Sequence, residues 1–155
     1  MSQHWLSFWY TDGAEATLRE GLPLRHIASR QLHKVDAGDV LWIVSVVDGN
    51  LIVYNRFAVD RQVSFEEACR IARRNDINAD PDHAFAPKGA AEPLRRVSAQ
   101  SLAPQLRFIS PTGKDRLSLK KGRVNPLQLR TLRRLTEPSA EALEILWRKK
   151  PAARF

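Results

Sequence analysis

The stretch from Val35 to Val59, VDAGDVLWIVSVVDGNLIVYNRFAV, constrains the fold more than any other part of the chain. Val40 to Val47 is apolar at nearly every position. A run like this, without the alternation of a strand that has one face in water, belongs to a strand covered on both faces. Asp48, Gly49 and Asn50 can take the positive-φ positions of a tight turn, so the runs on either side are expected to pair antiparallel as a hairpin. Gly38-Asp39 forms the turn that leads into it. The expected result is a central strand of a closed sheet.

Bulk properties limit what surrounds this hairpin. A chain of 155 residues with 43% hydrophobic content can bury one core, so residues 1–155 are expected to form a single domain. The lone cysteine, Cys69, excludes an intrachain disulfide framework and a Cys-rich zinc site. No basic segment followed by an apolar core opens the chain, and no apolar run approaches the roughly 20 residues that span a bilayer, so a cytoplasmic protein with no membrane partner is expected. Lys and Arg number 25 against 17 Asp and Glu, a net charge of +8. That excess favours a polyanionic partner, nucleic acid before membrane surface. A merely solvated basic surface fits the same excess, so the placement of the charges has to decide.

Along the chain, HWLSFWY (residues 4–10) reads as a first strand ending at Thr11-Asp12-Gly13. Alternation puts Leu6, Phe8 and Tyr10 on one face and Trp5, Ser7 and Trp9 on the other. Residues 14–34 are polar and broken by Gly21 and Pro23, with one or two helical turns expected over Ile27–His33. This connector carries a cluster of donors: Arg25, His26, Arg30, Gln31, His33 and Lys34. Ser64-Phe65-Glu66-Glu67 has the form of a capping box, and a helix is expected to follow, with Phe65, Ala68, Cys69, Ile71 and Ala72 inward and ending by Asn75. Short strands are expected over His83–Ala86, Leu94–Ser98 and Leu106–Ser110. Asn125-Pro126 reads as a helix start whose Leu129, Leu132 and Leu135 share a face. A further helix is expected to begin within Thr136–Ser139, with Ala140, Leu143, Leu146 and Trp147 inward. Residues 125–148 thus read as a C-terminal helical extension, followed by a basic, mobile tail (149–155).

Motifs for catalysis are missing. His4, His26, His33 and His83 lack the spacing of a metalloprotease helix, no nucleophile elbow occurs, and Pro111-Thr112-Gly113-Lys114 lacks the second glycine and context of a phosphate loop. No enzyme activity, metal or cofactor is expected. The densest cationic region is Lys114, Arg116, Lys120, Lys121, Arg123, Arg130, Arg133 and Arg134, interrupted only by Asp115. A basic sheet domain with aromatics at strand ends suits a reader that holds phosphates with Lys and Arg and stacks one unpaired or extruded base.

HWLSFWY, then ASRQLHKVDAGDVLWIVSV, then AEPLRRVSA and a closing leucine-rich helix resemble, in this order, the EVE-like branch of the PUA-like superfamily, related to YTH and ASCH domains. The resemblance spans roughly residues 4–110, and Gly38-Asp39 before an apolar strand is its best-kept element. It implies an α+β fold, a small mixed or antiparallel β-barrel with flanking and C-terminal helices. It also implies non-catalytic binding of RNA or DNA, with a modified or flipped base held beside the first strand and the connector. Where EVE proteins tend to carry an Asn- and Arg-rich run before Gly-Asp, this chain has Ser29, Arg30, Gln31 and His33. The implied base pocket is Trp9 and Trp5 with Ser29, Arg30, Gln31 and His33, and residues 114–134 would hold phosphates. The competing expectation is a scaffold domain whose C-terminal helices and tail dock on an acidic protein. A small-molecule enzyme with a site assembled from scattered residues is a third.

Overall fold

The structure, a computed structural model, describes residues 2–73, 80–87 and 89–149. In chain order its elements are β1 (His4–Phe8), α1 (Thr11–Glu20), β2 (His26–Ser29), β3 (Val40–Val47), β4 (Asn50–Ala58), β5 (Arg61–Ser64), α2 (Phe65–Ala72), β6 (Asp82–Phe85), β7 (Val97–Ser98), β8 (Phe108–Ile109), β9 (Leu119–Lys120), β10 (Arg123–Val124), β11 (Arg133–Leu135) and α3 (Glu137–Lys149). Single 3-10 turns occupy Leu32–Lys34, Ala103–Gln105 and Pro126–Leu129. The fold is mixed α+β. Among the described residues, no helix is long and apolar enough to cross a membrane.

The hairpin forms as its sequence demands. Asp48 (φ 51°) and Gly49 (φ 79°) occupy the two left-handed turn positions, while Asn50 already starts β4. β3 is central in a six-stranded sheet of order β7-β4-β3-β1-β11-β8, in which only the β1–β3 pair is parallel. Both faces of β3 are covered. Trp42 and Val44 face one cluster with Leu6, Leu51 and α3, whereas Leu41 and Ile43 face another with Tyr54, Phe57 and α1. The alternation in β1 follows suit, because Leu6 and Phe8 pack in the first cluster and Trp5 and Trp9 against the second. Among the described residues the sheet has two edges, β7 and β8, and no pairing closes it into a barrel. Each edge strand has only two residues before the chain turns away.

α3 seals the first cluster. Ala140, Leu143 and Trp147 are buried with Leu146 packed beside them, and the Trp147 ring meets Trp42 edge-on, 6.2 Å between centroids. Arg56, over the Trp42 ring, ion-pairs with Glu144, and Trp42 Nε1 donates to His4 Nδ1 at 3.0 Å. The serine half of the capping box is present, since Ser64 Oγ accepts from Glu67 N at 3.3 Å, while the Glu67 carboxylate pairs with Arg70. Of the inward face of α2, Ala68 is buried but Cys69 only half-buried.

Several elements differ from the sequence reading. Thr11-Asp12-Gly13 is the first turn of α1, and of Ile27–His33 the first three residues are strand while Leu32 and His33 enter a single 3-10 turn; β2 pairs with β6, and β6 with the unforeseen β5. The helix expected from Asn125 stops after one turn. Asn125 Oδ1 caps Leu127 N at 3.0 Å, but β1 has a free edge beside β3, and Arg133–Leu135 fills it as β11 instead of continuing a helix. Leu129 and Leu135 therefore enter the first cluster and Leu132 the second. The strands expected at 94–98 and 106–110 shorten to β7 and β8. Asn75 and tail residues 150–155 lie outside the described residues, while Arg148 and Lys149 belong to α3.

β2 and β6 are also joined through their histidines. His83 is fully buried, and its Nε2 lies 2.6 Å from the Asp80 carbonyl oxygen, so that nitrogen carries the proton. Its Nδ1 then accepts from His26 Nε2, 2.7 Å away. Burial and the neighbouring His83 push the pKa of the donor His26 down to about 4, which keeps its ring neutral near pH 7. As pH falls, the unfolded chain takes up this proton first, near the ordinary 6.5. The pair's stabilisation is complete above that value and is lost between it and about 4. Thermal melts should show Tm declining across this window, less steeply in a His26→Phe variant, and NMR should show His26 titrating near 4. A second prediction concerns Gly49. A Cβ there would lie 2.7 Å from the Cβ of Arg123, at a φ that L-residues avoid. Gly49→Ala should cost about 1–3 kcal/mol in urea denaturation.

Candidate nucleic-acid interface

The floor of the candidate site is set by strand register. Phe57, Leu41, Trp5, Arg134 and Ile109 are successive partners across β4, β3, β1, β11 and β8, so they share one face of the sheet. Phe57 and Leu41 are buried, Trp5 and Arg134 half-buried, and Ile109 is 51% exposed. The row therefore runs from core to solvent, with an indole and a guanidinium at the boundary.

Asp39 holds the indole in place. This carboxylate is buried and accepts from Trp5 Nε1 at 3.3 Å, from Gln3 N at 3.0 Å and from Asp36 N at 3.0 Å. The Gly38-Asp39 dipeptide thus does more than turn the chain. Gly38 (φ 92°) supplies the bend, and Asp39 ties β1 to the β3 start through the Trp5 ring.

Above this floor opens a cleft of about 1170 Å³. Its walls are the turn at Ser110–Lys114, the following residues to Lys120, the 125–128 turn, Thr131-Leu132 and, from the connector, Lys34. Gln31 fixes one wall from behind, because its side chain accepts from Leu132 N at 2.6 Å and donates to the Arg130 carbonyl at 3.3 Å. Arg133 fixes another. Its guanidinium lies 4.2 Å from the Phe108 ring centroid and donates to the carbonyls of Gln128 and Lys114, and burial lowers its pKa. It binds protein first, with the β11–β8 edge and the 110–114 turn as its clients.

The cleft gathers several cations in one place. Elsewhere among the described residues some cations are matched, Arg56 with Glu144, Arg70 with Glu67, Arg95 with Glu92, Arg96 with Glu15 and Arg30 with Asp80, while others, such as Arg19, Arg61 and Arg130, stand without an ion pair outside it. The cleft is lined by Lys34, Lys114, Arg116, Lys120, Arg133 and Arg134 but by one acid, Asp115, which sits 3.7 Å from Arg116. Among the described residues, Lys34, Lys114, Lys120 and Arg134 form no ion pair. Two exposed apolar side chains, Ile109 and Leu127, lie among these cations.

The structure brings together part of what the sequence pointed to. Trp5 meets Lys114, Arg116, Lys120, Arg133 and Arg134 in one cleft, while Trp9, Ser29, Arg30 and His33 do not line it. Trp9 packs on the second cluster, its N donating to Val44 O at 2.9 Å. Ser29 Oγ accepts from Gln31 N, His33 Nδ1 bonds Asp82 Oδ2 at 2.9 Å, and Arg30 is exposed near Asp80. Of the remaining cations, Arg130 is exposed, Lys121 (φ 52°) is in the β9–β10 turn, and Arg123 lies over Gly49. Lys34, Asp39, Ile109 and Leu127 were not singled out as site residues. Lys34 belonged to the connector's donor cluster and Asp39 to the Gly-Asp turn, but no local signal marks Ile109 or Leu127 as outward. Among the described residues, no group of His, Cys, Asp and Glu comes together as a metal site. No protein-family model and no curated protein matches the chain.

Asp39→Ala would leave three donors without their acceptor. It should destabilise the protein by about 2–4 kcal/mol in urea denaturation, and Asp39→Asn, which keeps one acceptor oxygen, by less.

Proposed function

We propose that the chain is a non-catalytic nucleic-acid-binding domain of the PUA-like type, in which the cleft holds phosphates and a base lies against Trp5. The observation that carries this reading is a set of six cations with a single acid among them, gathered around a half-buried indole. An anionic ligand would supply the missing counter-charges, and an aromatic face would add roughly 1–3 kcal/mol for a stacked base. Phosphate contacts give affinity, and the recess at Trp5 gives a place where base identity can matter. The lining contains no histidine, cysteine or glutamate, and its one aspartate faces Arg116. Reading of a modified base follows from the family resemblance, with Trp5 now in the place first given to Trp9.

Fluorescence anisotropy with labelled RNA and DNA oligonucleotides, single-stranded and duplex, plain and base-modified, should detect binding at low salt, with the oligonucleotide recovered intact. Lys114→Glu combined with Lys120→Glu should weaken binding about tenfold or more. Absence of binding to every oligonucleotide at low salt would refute the proposal.

A further inference from the structure

We infer that the cleft takes a single strand in preference to a duplex, with one unpaired base on Trp5 and a second against Arg134. This inference rests on the nucleic-acid reading above. The stacking surface is recessed: Trp5 is half-buried, in mid-row between buried Leu41 and half-buried Arg134, so only a base that has left its own stack can lie flat on it. A paired base offers its edge to a protein and keeps its face hidden.

Trp5 and Arg134 are direct cross-strand partners, which sets their Cβ atoms about 5 Å apart. Indole and guanidinium both present flat faces on which unpaired bases stack. Two such planes at neighbouring positions suit consecutive nucleotides. The cleft, at about 1170 Å³, is also larger than the roughly 300–1,000 Å³ that suits one small ligand.

The mixture of wall residues points the same way. Ile109 and Leu127 are 51% and 59% exposed and line the cleft beside the lysines. A duplex presents phosphate and sugar to such a wall and leaves these side chains in water. A single strand presents base faces as well, which can cover them. The unpaired cations come from three separate segments, with Lys34 in the connector, Lys114 and Lys120 beyond β8, and Arg134 in the floor, so phosphates can be met along a flexible chain.

The test is competition anisotropy on the full chain with a short labelled single strand, the same strand annealed to its complement, and an acidic, aromatic-rich peptide. The single strand should bind at least about tenfold more tightly than the duplex. If the four unpaired cations each meet a phosphate, log affinity should fall with log salt at a slope of about −2.8, or about 50-fold from about 50 to 200 mM. Trp5→Ala should weaken single-strand binding about 5- to 150-fold. Because that variant removes a half-buried ring, Ile109→Ser with Leu127→Ser serves as a second test on exposed positions, and should weaken the single strand while sparing the duplex. Duplex binding that equals or exceeds single-strand binding would overturn this inference and leave the nucleic-acid reading standing. Failure of both nucleic acids at low salt, with or without capture of the peptide, would overturn both.

Discussion

A strand that is apolar on both faces has to be covered twice, and β3 organises this protein through that requirement. One face takes α3 through Trp42 and Trp147, and the other takes α1 and the second cluster through Leu41 and Ile43. The lateral edges of the hairpin must be paired as well. β4 takes β7, while β3 takes β1 in parallel, which leaves β1 with a free edge that β11 then fills. The cleft floor follows from this sequence of obligations, because Trp5 and Arg134 become neighbours only when β1 and β11 pair.

The parts of the fold that rest on local physics were legible in the chain. The Asp48-Gly49 turn, the double coverage of Val40–Val47, the Ser64 cap and the inward stripe of α3 each depend on residues within a few positions of one another. The parts that depend on distant partners were not. Arg133-Arg134-Leu135 reads equally well as the end of a leucine-spaced helix, and only the vacant edge of β1 makes it a strand. Likewise Ile27–Ser29 has no strand signal of its own and is drawn into one by β6 and by the His26–His83 bond.

The candidate site shows the same division. The cationic stretch from Lys114 to Arg134 and the aromatic first strand were visible separately, but sequence could not say that Trp5, not Trp9, would face the cations. Both tryptophans lie on the same side of β1, and the difference is position along the sheet. Trp5 lies opposite Arg134 near the solvent edge, whereas Trp9 continues past the end of β1 onto Val44. Of the connector residues, Gln31 splints the 130–132 loop behind one wall, while His33 grips Asp82 of β6, outside the cleft lining.

The antiparallel pairing of β1 with β11 joins residues about 130 positions apart, and the cleft floor straddles that joint. A contact of such long range carries a larger loop-closure cost than the hairpin does. During synthesis, a nascent chain can complete the β3–β4 hairpin while Trp5 still lacks Arg134 beside it. The surface that would hold a polyanion is therefore assembled only once the final sheet strand has emerged, and an unfinished chain has no completed floor with which to capture one prematurely.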